Sequence, residues 1–192
     1  MHAFDYVVLL LSFVYAASIT HVLATAGDLI TAGRRVRISW SNLGWMVVAV
    51  FSILSWWLGT WELREVRTWG SLFIVFNFAM ACALYVVVRL TCAQVPATGE
   101  VDLPAFHLAQ GRKYLWATTL FATVAMGYNA AYDIASNGSY FLRQDIAVLP
   151  MMLASAVAAI YVRRPYVQAA CLTVEFAAWG LYFMKFQHSL TG

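Results

Sequence analysis

The sequence predicts an all-α polytopic membrane protein, six transmembrane helices packed as a helical bundle, and three observations predict it. Hydrophobic residues fill 62% of the 192 positions and charged residues only 11%, against roughly 25% charged usage in soluble domains. Six apolar stretches of bilayer length account for most of the chain. The short alternating segments that a membrane β-barrel requires do not occur. Because hydrocarbon offers no partner to an open backbone N–H or C=O, helices are the economical form for such stretches.

The first stretch runs from Phe4 to Ala26. Ala24, Thr25 and Ala26 have the small-residue spacing of a signal cleavage site, yet no Lys or Arg precedes the apolar core and that core is too long. A retained helix is therefore expected. The remaining stretches are Trp40 to Trp61, Ser71 to Cys92, Tyr114 to Ile134, Ile146 to Val162 and Tyr166 to Phe186. At ~1.5 Å rise per residue, segments of about 17 to 23 residues cover the ~30 Å hydrocarbon layer, the fifth only barely. Pro150 falls in the first turns of that fifth helix, where it is expected to leave a carbonyl without its usual partner and to bend the helix.

Linkers are short except for Ala93 to Gln110, which contains Pro96, Gly99, Glu100, Asp102 and Pro104. No second soluble domain fits, so residues 1–192 read as a single transmembrane domain. Within the linker, Leu103, Phe106, His107 and Leu108, followed by Arg112 and Lys113, form a short amphipathic piece suited to a membrane surface. Three helices precede the linker and three follow, which permits an inverted repeat, although the halves share no visible similarity.

Basic residues mark the orientation. The loops after the odd-numbered helices carry Arg34, Arg35, Arg37, Arg89, Arg112, Lys113, Arg163 and Arg164, and the opposite side carries Arg64, Arg67, Arg143 and Lys185. This bias puts the first set in the cytoplasm and both termini outside. The net charge of +3 thus reads as a topology signal, and no nucleic-acid partner is implied. Cys82, Cys92 and Cys171 lie within or at the edge of spans with no metal-type or disulfide spacing, as small packing residues do.

Chemistry is sought among polar residues that lipid should exclude. On the sixth helix Gln168, Cys171, Glu175, Ala178, Tyr182 and Lys185 recur at steps of three and four, which holds one polar or small face along the span. A carboxylate near mid-membrane costs at least a few kcal/mol if ionised and alone, so Glu175 is expected to face other polar groups or a wet cavity. It serves either as a hydrogen bonder between helices or as a proton- or cation-binding group. Ser18, His21, Thr25 and Asp28 share a face of the first helix. His21, at a depth of roughly 7 Å against roughly 13 Å for Glu175, is the natural relay partner, since imidazole titrates near neutrality. Thr118, Ala122, Ala125, Asn129 and Asp133 share a face of the fourth helix, at a depth in the outer third that matches Asn77 on the third. From outside inward, Asp133, Asn129 with Asn77, Glu175, His21 and Asp28 would form a polar column. The bland alternative is interhelical hydrogen bonding at ~1 kcal/mol or less per contact.

The second helix ends in Trp56, Trp57, Trp61, Glu62, Arg64, Glu65, Arg67 and Trp69. These residues read first as an aromatic belt with a charged turn, and second as an outer vestibule with the tryptophans as walls and the charges as selectors. Enzymatic chemistry finds little support. The histidines His2, His21, His107 and His188 are scattered, a haem would need a second intramembrane histidine from another subunit, and Glu175 is a weak base for Cys171. No metal or other cofactor is implied.

The segments FDYVVLLLSFVYAASITHVLATAGDLI (4–30), RRVR (34–37), WSNLGWMVV (40–48) and SWWLGTWELREVRTW (55–69) resemble a group of small uncharacterised six-helix bacterial inner-membrane proteins. The resemblance is best over the first three helices. It implies a bacterial inner-membrane location and carries over no activity or functional residue. The function expected from the residues is a proton- or cation-linked channel or transporter, working as a homo-oligomer in contact with membrane lipid. The alternatives are an accessory or structural membrane protein that binds lipid or a larger membrane partner, and, more weakly, a haem or quinone redox subunit.

Overall fold

A computed structural model describes residues 3–65, 69–136 and 148–190. Among them are six α-helices: α1 Ala3–Ala32, α2 Trp40–Thr60, α3 Ser71–Thr91, α4 Leu103–Ser136, α5 Val148–Tyr161 and α6 Pro165–Leu190. Two short segments, β1 Val36–Arg37 and β2 Val101–Asp102, pair in parallel with Val36 opposite Val101. Four stretches are long and apolar enough to cross a membrane: Phe4–Arg35, Trp40–Thr60, Ser71–Thr91 and Pro165–Met184. α5 is apolar, but its 14 residues rise only ~21 Å against a ~30 Å hydrocarbon layer. α4 has the length, but Thr118, Thr119, Thr123, Gly127, Asn129 and Asp133 dilute its apolar character.

The chain forms two compact units, residues 1–110 and 111–192, the division falling within the early turns of α4. In the first, α1, α2 and α3 pack against one another. Val7, Leu11, Tyr15, Ser18, Val22, Thr25, Leu29 and Ala32 are all buried on α1, and their alternating three- and four-residue steps trace one continuous seam. Ser18 fits this seam because its hydroxyl donates to the Val14 carbonyl of its own helix at 2.8 Å. α3 answers with Met80, Ala81, Leu84, Val87 and Val88, and α2 with Trp45, Ala49, Ile53 and their neighbours.

Two helix ends depart from the sequence expectation by six residues or more. α1 runs on to Ala32, past Ala26, because Leu29 and Ala32 find apolar cover where a membrane-length count would stop. Leu29 packs with Ala93, Val101 and Leu103, flanked by Val36, Leu43, Val95 and Phe106. α4 starts at Leu103 instead of Tyr114. Asp102 accepts the Ala105 N–H at 2.8 Å as the N-cap, and Pro104 in the first turn gives up a donor that has no helical partner there. The residues expected as a separate amphipathic piece, Leu103 to Leu108, are therefore the opening turns of α4, with Leu103 buried in the cluster. Gly33, at φ 53°, turns the chain out of α1, and Gly99, at φ 96°, offers its carbonyl to Arg35 Nη1 at 3.0 Å.

In the second unit α5 and α6 form a close pair through Ala156, Ala159 and Ile160 on one side and Cys171, Leu172 and Ala178 on the other. Pro150 is the third residue of α5; residue 146, whose carbonyl its missing N–H would have reached, lies outside the described residues, and with it the expected loss of a helical bond. Pro165 opens α6, where its missing N–H takes no helical bond away. The last carbonyls of α5 are taken by Gln168, whose Nε2 donates to Ala159 O at 2.7 Å and Val162 O at 2.8 Å.

Candidate functional site

The polar and small face of α6 is its packed face. Gln168, Cys171, Glu175 and Ala178 are all buried, and Glu175 is only 3% exposed. Glu175 lies ten residues past Pro165, or ~15 Å along the axis, about half the hydrocarbon thickness. Ser155 of α5 faces it, with Oγ 2.6 Å from Glu175 Oε1 and 2.8 Å from the Met152 carbonyl of its own helix.

One hydroxyl proton must serve these two contacts, so two arrangements fit the same heavy atoms. If Ser155 donates to Met152 O, the 2.6 Å contact requires Glu175 to be the protonated donor. If Glu175 is ionised, the Ser155 hydroxyl turns to it and leaves Met152 O to the α5 backbone. Gain or loss of one proton by the carboxyl can thus be accommodated by rotation about a single Cβ–Oγ bond. Ser155 was not singled out from sequence, although a serine in the middle of the most apolar helix was the available signal.

The other residues expected in a polar column divide between the two units. His21 and Asn77 belong to the first unit and do not meet. His21 Nε2 lies 3.4 Å from Arg89 Nη1, and its ring is 6.4 Å from that of Tyr85. Asn77 is two turns before Tyr85 on α3, or ~12 Å along the axis, and is buried with Nδ2 donating to Phe73 O at 2.9 Å. Asp28 is exposed one turn beyond Thr25. The side chains of Asn129 and Asp133 lie outside the described residues, and Glu175 belongs to the second unit.

Asn42 was not anticipated. It is fully buried at the start of α2, where its Nδ2 donates to Thr91 O at 3.1 Å and ties α2 to the end of α3. Its local cue was the Ser39 N-cap, which accepts the Asn42 N–H at 3.3 Å.

At the other end of α2 the tryptophans divide. Trp56 is half-buried beside Tyr15, whereas Trp57 and Trp61 are 48% and 53% exposed, with the Arg64 guanidinium 5.1 Å above the Trp61 ring. An interfacial belt suits this outward pair. The side chains of Glu62 and Glu65, and Arg67 entirely, lie outside the described residues. The three cysteines are free, two buried and Cys82 half-buried. Among the described residues no group of His, Cys, Asp and Glu is arranged to hold a metal ion. Compared with protein-family models, with characterised proteins and with solved structures, the chain matches none.

Proposed function

We propose that this chain is a multi-pass protein of a bacterial inner membrane that carries protons or a small cation, with Glu175 as the binding group. In this reading all six helices cross the bilayer, the arginine-rich loops face the cytoplasm, both termini lie outside, and copies of the chain assemble as a homo-oligomer. The single observation that carries it is the Glu175–Ser155 contact, a buried carboxyl against a hydroxyl that can switch between donor and acceptor. Intramembrane carboxyls that face the protein interior are the groups on which proton and cation pathways are commonly built.

The test is flux. The full chain is reconstituted in vesicles of phosphatidylethanolamine and phosphatidylglycerol with an entrapped pH dye, under a potassium diffusion potential. Glu175→Gln should lower proton uptake at least tenfold, while Thr173→Val, an exposed position on the same helix, should leave it unchanged. Flux undiminished in Glu175→Gln overturns the reading. The second reading, an accessory protein that docks to lipid or a larger membrane partner, draws on the exposed Trp57 and Trp61 and is what remains if no flux depends on Glu175.

A further inference from the structure

We infer that Arg89, held by His21, is the headgroup contact of a site for an anionic phospholipid on the outer face of α3. The inference requires that α3 cross the bilayer and is independent of any role for Glu175.

Arg89 is exposed in the last turn of α3, and among the described residues no carboxylate is paired with it. Its neighbour is the imidazole of His21. For the 3.4 Å contact to be a hydrogen bond, His21 Nε2 must present its lone pair to the guanidinium, with the ring proton on Nδ1. This contact uses one corner of the guanidinium and sets its orientation. The remaining N–H groups keep the fork that matches two phosphate oxygens. Tyr85, one turn earlier and beside the His21 ring, limits how far the imidazole can turn away.

The apolar half of the ligand has a place as well. Ala79, Cys82, Val86 and Arg89 follow one another at steps of three and four along α3, which aligns them on one side of the helix. Val86 is 52% exposed, Ala79 is exposed and Cys82 half-buried. From Arg89 to Ala79 is ten residues, or ~15 Å, the depth of one leaflet. Ala79 and Cys82 are small, so an acyl chain can lie close to the helix below a phosphate bound at Arg89. An uncompensated cation at the top of a leaflet-deep apolar strip is complementary to an anionic phospholipid. A free anion would use only the cation, and a zwitterionic lipid would bring its own positive charge to the same place.

Native mass spectrometry of the full chain in mixed micelles tests this by counting phosphatidylglycerol retained in competition with phosphatidylcholine. Wild type should retain phosphatidylglycerol preferentially, Arg89→Gln should lose at least threefold of that preference, and Arg112→Gln should keep it. Equal retention by Arg89→Gln and wild type, or an equal loss in Arg112→Gln, overturns the site. So does displacement of the lipid by millimolar inorganic phosphate. If Arg89→Gln does not fold, wild type with a phosphatidylglycerol bearing a diazirine in its acyl chain decides the matter: labelling should fall on the peptide spanning residues 79–89, and labelling confined to other helices refutes the assignment.

Discussion

Ser155 and Glu175 meet across the α5–α6 pair at 2.6 Å, a serine hydroxyl against a carboxyl that is 3% exposed. Removing one member leaves the other buried without that partner. Ser155→Ala should therefore destabilise the protein by about 1–3 kcal/mol, whereas the double change Ser155→Ala with Glu175→Leu, which replaces both polar groups, should lie nearer wild type than Ser155→Ala alone. Thermal unfolding in detergent, run as a double-mutant cycle, reads the coupling. Additive losses would mean that the contact contributes nothing.

Gln168 closes the end of α5 with two donations from one amide nitrogen. Gln168→Ala should cost about 1–2 kcal/mol through the lost bonds. Gln168→Glu should cost more, since its carboxylate would oppose two carbonyl oxygens. Hydrogen exchange at residues 158–165 should rise in both variants, and more in the second; the reverse order would contradict this account.

Asp102 caps α4 and also pairs with Arg37. These roles separate by chemistry. Asparagine caps as well as aspartate, so Asp102→Asn should change stability by only a few tenths of a kcal/mol, while Asp102→Ala should cost about 1 kcal/mol. Amide exchange at Ala105 and its neighbours should accelerate only in Asp102→Ala. Equal effects of the two variants would assign the stability to the ion pair instead.

Leu84 is completely buried on α3 amid the packing of the first unit. Leu84→Ala should cost about 2–5 kcal/mol, set by how far the helices close over the cavity. Leu72→Ala on the same helix, at an 81% exposed position, should be close to neutral. Urea or thermal unfolding in one detergent compares them directly, and similar losses at both sites would count against this packing.

The middle helices show what a sequence reading can deliver. The starts of α2 and α3, at Trp40 and Ser71, and their ends to within one residue, follow from apolar runs bounded by turn residues, because membrane-length hydropathy and helix length coincide there. α4 broke the rule: its first turns are polar enough to look like linker, and a cap at Asp102 with burial of Leu103 decides where it begins. The face of α6 was legible because three- and four-residue steps fix angular position on any helix. The partner of that face was not, since periodicity is silent about which helix lies opposite.

The sequence by itself determined that this is a helical protein with several membrane-length apolar segments, and that Glu175 shares a face with Gln168 and Cys171. Those properties depend only on local composition and on the fixed geometry of one helix. Tertiary structure alone decided that Ser155 meets Glu175, that His21 turns to Arg89, and that Asn42 reaches Thr91. Each joins two helices, and the choice among many compatible polar partners is made by which surfaces pack.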